Sequence, residues 1–562
     1  MSTSGIASSI AWRTVLGGAG FVVAALLAGQ ALARDDDHRG ISQSGEQKNM
    51  RLVGHADLQQ RPAYQPNAIL YPDGRTIAFV GTHGGSKLNP LTGNVEANGT
   101  MIIDVTDPSH PVQTAHIPVP VAGGQAQMAR MCLGSVLPGG KSGSVYLLRN
   151  VQGSAAAGYE IWDVTNTSAP VPVAALKGNT TPKTPAIRST HKDWWECTTG
   201  IAYMPGSRNL PKPDLWRTSQ SMLIYDWSKP PAAAASGPIP VYADYPKYIR
   251  TYGVPGANPD GTGGIPNSLH GAISAFEHPQ ATQSLARGQD SIGNRIYAAW
   301  GVGDDGVLQI IDRKALLPSP WGNWVPETAD SADRPTANEM AKPMVGLMYM
   351  SADQGGHTSM PIFGMQPASY GSFTEFKTRD IVVLTSEATA DLCQESPHWA
   401  FLVDVTIENS GAVPPGTKIE QNFFQGPMVL STMSVDPRRG AKYPRGNYCT
   451  RGARFGVHSN EENFNNPYYG KLTFLAYFTG GVRTFDIREP QSPVEVAFYV
   501  PLPAKTVPAF EAKGGYMTNN LEVDDRGFIY ATDRQGYGLD ILELTGRAKS
   551  IGSGHGDGDD DD

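Results

Sequence analysis

FGVHSNEENFNNPYYGKLTFLAYFTGGVRTFDIREPQSPVEVAFYV, residues 455–500, decides how the rest of the chain is read. A His-led segment opens it, and Asn465-Asn466-Pro467 marks a turn-rich loop. An apolar strand over 471–478 follows and stops at Gly480-Gly481; the next strand ends in Thr484-Phe485-Asp486-Ile487. A Pro-x-x-Pro turn then leads to a last strand over 494–500. Four short apolar runs separated by Gly, Pro and Asn turns are the pattern of one antiparallel β-propeller blade.

The same signature, an apolar strand ending in an acid and then a turn, recurs along the chain. It appears at Asp104 (MIIDVTDPSHPV), Asp163 (EIWDVTNTSAPV), Asp226 (LIYDWSKPP), Asp312 (LQIIDRKALLP), Asp404 (FLVDVTIENSGAV), Asp486 and, as LDILELTG, Glu543. The intervals are 59, 63, 86, 92, 82 and 57 residues, longer than the ~40–45 of a compact four-stranded blade. Pro/Gly-rich insertions at 208–219, 230–266, 318–342 and 411–445 absorb the excess. The recurring acid is expected to close its turn by accepting backbone N–H bonds and to carry no chemistry. The expected fold is therefore all-β: a single seven-bladed β-propeller over 63–547, with long loop insertions on one face.

Composition agrees. The chain has 562 residues, no charge-rich or Pro/Ser-rich linker, 63 Gly and 44 Pro, and a repeat array lets each unit bury its faces on its neighbours. Residues 1–33 read as a secretory signal: Arg13 is the only charge before Arg34, 15–33 is apolar, and Ala31-Leu32-Ala33 precedes Asp35-Asp36-Asp37. Retention as a membrane anchor is the other reading, and no other transmembrane candidate occurs. A periplasmic or secreted protein is expected, with 34–62 an N-terminal segment and 548–562 a disordered acidic tail. Four cysteines in an oxidising compartment allow three pairings. Cys132–Cys197 and Cys393–Cys449 are favoured because each pair falls in neighbouring units. A net charge of −8 without a Lys/Arg cluster argues against nucleic-acid binding.

The D-V-T-x-P-x-x-P pattern and GGVRTFDI at 480–487 resemble the LVIVD-repeat proteins, exported bacterial propellers mostly without an assigned activity. GNVEANGTMIIDVTDP (93–108), HKDWWECTTGIAY (191–203), GVLQIIDR (306–313), RFGVHSNEENF (454–464) and NNLEVDDRGFIYATDR (519–534) extend the resemblance over most of the chain. It implies the fold and leaves the chemistry to the residues.

Four consecutive units open with a histidine: His191, His270, His357 and His458. Equivalent positions in a closed ring put these imidazoles around one axis, and imidazole suits iron, copper, zinc and nickel. Glu196, Glu387 and Glu461 are expected to hold the other ring nitrogens; Glu462 and His83 are further candidates. By analogy of fold, carotenoid-cleaving oxygenases hold iron with four His backed by Glu on this axis. The selenium-binding/methanethiol oxidase group is associated with copper, and no sequence match brings the substrates of either family here. Trp194-Trp195 read as core, Asn460 and Asn463 as turn formers, and 301–306 is no nucleotide loop because no βαβ unit follows. No nucleophile elbow occurs, and 524–527 reads as a hairpin turn.

Two functions follow from these residues. One is an exported metal-dependent oxidoreductase with copper or iron in the channel and a small-molecule substrate; its catalytic residues are unassigned. The other is a non-catalytic propeller that holds an envelope protein. Four structural histidines would have to be buried neutral with partners, or charged and mutually repelling.

Overall fold

The structure, a computed structural model, describes residues 46–153, 157–177, 187–188, 190–208, 221–234, 237–255, 268–288, 290–302, 305–370, 377–408, 426–438, 447–501 and 515–553. Signal-segment, tail and insertion residues outside these ranges lie outside the described residues. The molecule is a β-propeller of antiparallel sheets. The stretch 455–500 forms the strands Phe455–Asn460, Leu472–Phe478, Val482–Asp486 and Val494–Val500, paired in chain order.

The same meander recurs. Sheet one is Ala63–Leu70, Thr76–Thr82, Gly99–Asp104 and Val112–Pro118, with the hairpin Ser86–Asn89/Asn94–Ala97 inserted. Sheet two is Ala129–Leu133, Val145–Val151, Gly158–Asp163 and Val171–Lys177. In sheet three the short Ile187–Arg188 and Trp194–Trp195 both pair with Ile201–Arg208, followed by Ser221–Asp226 and Lys247–Tyr252. Sheet four is Leu269–Ser274, Arg295–Trp300, Val307–Asp312 and Met344–Tyr349; sheet five is Gly356–Met365, Arg379–Ser386, Ala400–Asp404 and Met428–Met433. A nine-stranded sheet joins the meander of 455–500, with Glu46–Lys48 paired to its last strand, to Thr518–Val523, Ile529–Asp533, Leu539–Leu544 and Met50–Ala56. A single pair, Phe478 with Thr518, makes that junction.

Neighbouring sheets share apolar cores, so the fold closes on itself. Phe79 and Ile102 of sheet one pack with Val145 and Leu147 of sheet two. At the other end Ala78, Val80 and Ile103 pack with Tyr530, Leu539 and Ile541. Burial of each of these Val, Leu, Ile and Phe side chains contributes roughly 1.5–3 kcal/mol. Met50–Ala56 completes the sheet of Leu539–Leu544, which fastens the N-terminal strand to the C-terminal ones and covers an edge.

The recurring acids do what their spacing implies. Oδ1 of Asp104, Asp163, Asp226, Asp404 and Asp486 accepts the N–H two residues on, at 2.8–3.1 Å. Asp312 caps the short helix Arg313–Leu316 through Ala315 N. Glu543 is the exception, with its carboxylate bonded to Arg51 Nε at 2.5 Å. Both disulfides form as favoured, Cys132–Cys197 and Cys393–Cys449.

Three boundaries differ from the sequence reading. Residues 46–56 are propeller strands rather than a segment outside the fold, because strand 50–56 supplies the partner that Leu539–Leu544 needs. Residues 548–553 are not tail: Gly546–Ser553 is a helix that buries Ala548 and Ile551, and its Gly552 carbonyl accepts from Lys471 Nζ at 2.8 Å. Much of the insertions expected on one face (209–219, 256–266, 411–425 and 439–445) lies outside the described residues. The spans 230–266 and 411–445 contain the fourth strands Lys247–Tyr252 and Met428–Met433. In an antiparallel meander, connections after strands one and three leave by the opposite face from those after strands two and four. The 318–342 insertion follows a third strand, whereas 208–219 follows a second.

Candidate metal centre

Side chains of a first strand point out of the sheet faces, which neighbouring sheets cover, so regular pleating lines no channel. A bulge re-aims one of them. Leu269 pairs with Trp300 and Gly271 with Ala299, which leaves His270 as the extra residue. Gly356–Ser386 and Thr358–Thr385 leave His357 in the same way. Gly456, Val457 and His458 face Tyr477 alone, Tyr64 and Gln65 face Gly81, and Asn519 and Asn520 face Thr532. His191 lies just before the short strand Trp194–Trp195. Gly356 is required beside its bulge, since a Cβ there would lie 2.8 Å from the Trp300 carbonyl oxygen and 3.0 Å from its nitrogen.

The four predicted histidines meet. Ring centroids are 4.4 Å apart for His191–His270, 3.5 Å for His270–His357 and 4.1 Å for His357–His458. His270 donates from Nδ1 to the His357 carbonyl at 2.9 Å, and His458 from Nδ1 to the Asn519 carbonyl at 2.5 Å. His191 Nδ1 donates to Gln127 Oε1 at 2.9 Å, while Gln127 Nε2 donates to His83 Nδ1 at 3.2 Å. His357 Nδ1 sits 3.0 Å from Thr358 Oγ1. A neutral imidazole carries one N–H, so the Nε2 atoms of His191, His270 and His458 present lone pairs. Burial first, then neighbouring positive charge, lowers the basicity of His270 and His357; burial also leads the drop of His191 to about 3.

These lone pairs are crowded. His191 Nε2 and His270 Nε2 are 2.7 Å apart, and the Tyr64 hydroxyl, 3.2 and 3.3 Å from them, has a single proton to give. The contact is favourable only with a positive centre between the rings, or with the Gln127 amide turned over so that His191 carries its proton on Nε2. His357 Nε2 and His458 Nε2 are buried without a hydrogen-bond partner. Two imidazoles on one ion at ~2.0–2.1 Å bring their nitrogens to about 3 Å, so the His191–His270 approach is what a transition metal shared by those two rings would produce. Among the described residues the group whose ligand atoms all lie within 4.8 Å of one another is His270, His357 and Glu387, so His191 joins it through His270 and His458 through its ring contact with His357.

The carboxylates behave differently from one another. Glu387 does not hold a second ring nitrogen, because carbonyls and hydroxyls already occupy the Nδ1 side. It faces the Nε2 atoms instead, 3.5 Å from His458 and 3.9 Å from His357, with Arg454 Nη1 at 3.0 Å and Arg534 Nη1 at 3.9 Å. Burial pushes its carboxyl up, but the Arg534 and Arg454 guanidiniums, with His458 whenever that ring is protonated, hold it below the usual carboxylate range. Glu196 is away from the imidazoles, taken by Arg313, Tyr203, Ser274 and Thr199. Glu461 accepts from Phe474 N and Thr473 Oγ1. Glu462 bonds Lys192 and Arg130 in a buried layer beside the histidines, and Lys192 Nζ reaches Thr358 Oγ1 at 3.2 Å. Trp194 and Trp195 are core.

Sequence reading missed Tyr64, Gln127, Asn519, Arg454 and Arg534. Tyr64 and Asn519 occupy first-strand bulges like those of the histidines. His83, Glu387 and Arg534 each directly follow a second strand, Thr76–Thr82, Arg379–Ser386 and Ile529–Asp533. Superposing the units on both strands, rather than on histidine alone, exposes them.

No protein-family model and no curated protein matches the chain. Solved structures similar to it include the β-propeller domain of Cps50 (Swd1) from Myceliophthora thermophila, at 9% identity, 88% of this chain, 99% of that one and a TM-score of 0.38. The Dos1 propeller matches at 9% identity, 88% and 96% coverage and a TM-score of 0.40. Sqt1 from Chaetomium thermophilum matches at 12% identity, 88% and 99% coverage and a TM-score of 0.40. At these TM-scores the likenesses add no weight; the propeller architecture rests on the strand pairing above.

Proposed function

We propose that this chain is an exported seven-bladed propeller of LVIVD-repeat type that holds one copper or iron ion through His191, His270, His357 and His458 and acts as an oxidoreductase. The nine-stranded sheet counts as two blades, since a single residue pair joins its halves. The observation that carries the metal reading is the 2.7 Å approach of two Nε2 atoms whose protons are committed elsewhere. Bound there, the ion would supply Lewis-acid or redox chemistry to a small substrate. The chain's own part is to fix the ring tautomers through Gln127 and the carbonyls of His357 and Asn519. Glu387 adds negative charge on the same side, and the Tyr64 hydroxyl holds a proton at the centre.

Elemental analysis of the untagged protein tests this. Near one equivalent of copper or iron, lost in a His270→Ala/His357→Ala variant that stays folded, is expected. A stable protein that takes up neither copper, iron nor zinc overturns it. The second reading, a non-catalytic propeller binding an envelope partner, is favoured by one feature: turning the Gln127 amide lets His191 donate to His270 and closes that contact without metal.

A further inference from the structure

We propose that the mouth of the histidine site is an anion subsite in which Arg454 and Arg534 hold the carboxylate of a small organic monoanion beside the imidazoles. This deepens the reading above and, in naming a substrate class, rests on it. Arg454 immediately precedes the first strand Phe455–Asn460 and Arg534 immediately follows the second strand Ile529–Asp533, so both lie on the face where first strands begin and second strands end. Glu387 and His83 come to the same face.

Each guanidinium has five N–H donors, and little of that capacity is used. Arg454 Nη1 donates to Glu387 Oε1 at 3.0 Å and to the Ala388 carbonyl at 3.2 Å. Arg534 Nη1 donates to Asn519 Oδ1 at 3.2 Å. Among the described residues no other acceptor takes a hydrogen bond from either side chain. Both remain reachable from solvent, with side chains 22% and 24% exposed. Each guanidinium lies within the field of the other.

The charges select the ligand. Two guanidiniums and one carboxylate leave one net positive charge at the mouth; Asp391, which also acts on Arg534, is exposed and screened by water. A monoanion neutralises that excess, whereas a cation is repelled. His83 points the same way. Its Nδ1 accepts from Gln127, which puts its proton on Nε2, and that buried atom has no partner. A planar carboxylate matches two guanidinium forks and one N–H donor.

The test titrates acetate and benzoate, with the uncharged isosteres acetamide and benzamide and with inorganic phosphate, into chelator-treated and copper-treated protein by calorimetry. At least one carboxylate should bind both forms, and its amide roughly tenfold or more weaker, as loss of charge-assisted hydrogen bonds implies. Arg534→Gln, which loses the bond to Asn519 Oδ1 and the ion pair with Glu387, should lower carboxylate affinity on the order of tenfold in both the chelator-treated and the copper-treated protein. Arg454→Gln/Arg534→Gln should abolish binding, its folding checked by melting temperature. Equal binding of carboxylate and amide, unaltered affinity in Arg534→Gln, or phosphate tighter than both carboxylates overturns the subsite. Carboxylate binding that needs these arginines in a protein taking up no copper supports the subsite and removes the metal. Copper uptake without carboxylate binding removes the subsite and leaves the metal.

Discussion

Glu196 and Glu387 are both buried glutamates, and opposite consequences follow from replacing each with Gln. The Glu196 carboxylate accepts from Arg313 Nε and Nη2 at 2.8 and 2.7 Å, Tyr203 at 2.9 Å, Ser274 at 2.7 Å and Thr199 at 2.7 Å. It is 0% exposed and Arg313 is 2% exposed. Glu196→Gln therefore leaves a guanidinium charge in the interior without its counter-ion, a loss of about 3–5 kcal/mol against a total stability on the order of 5–15 kcal/mol. Metal uptake should not change, since no imidazole touches Glu196. Glu387→Gln removes the one carboxylate facing His357 and His458 Nε2, and its partner Arg454 is partly exposed, so the stability cost is screened to ~1 kcal/mol. Metal affinity should fall at least on the order of tenfold. Denaturant midpoints and metal titrations of both variants are the assay. A Glu196→Gln protein with its parent's midpoint and a lost metal, or a Glu387→Gln protein with unchanged metal affinity, refutes this division of roles.

Burial first of all raises the Glu461 carboxyl from 4.5 to about 8. Between about pH 4.5 and 8 the folded state keeps a proton that the unfolded state has lost, so stability falls as pH rises through that window, by at most ~1.4 kcal/mol per unit. Glu461→Gln should flatten that slope; melting curves at pH 5 and 8 with equal slopes in both proteins would count against it. Asp226→Ala should cost about 1 kcal/mol by orphaning Ser228 N, and Asp226→Asn, which keeps an acceptor, should cost less; equal costs in denaturant titrations would contradict the turn role. Cys132→Ser/Cys197→Ser opens a bridge with a sequence separation of 65 residues and should lower stability by roughly 2–4 kcal/mol, read from thermal unfolding under oxidising conditions. An unchanged melting temperature there would show that the bridge does not constrain the unfolded chain.

The repeat was legible in the sequence because strand alternation and turn chemistry are local. Asp104, Asp163, Asp226, Asp404 and Asp486 each bond two residues away, so their spacing alone located the third strands. The four histidines were legible for a related reason: equivalent positions in a ring must converge, whatever the loops between them do. Cysteine pairing followed from the adjacency of units. Only the tertiary structure decided which atoms face the centre. Nδ1 of His458 is held by Asn519, 61 residues on, and Glu387 reaches His458 across 71 residues of chain. Glu196 and Glu461 sit close enough in sequence to a histidine to hold its other ring nitrogen, yet their neighbours in space are Arg313 and Thr473. Hydrogen-bond partners of a buried carboxylate are set by which strands the bulges and sheet contacts bring together, and that is a property of the closed ring rather than of any one unit.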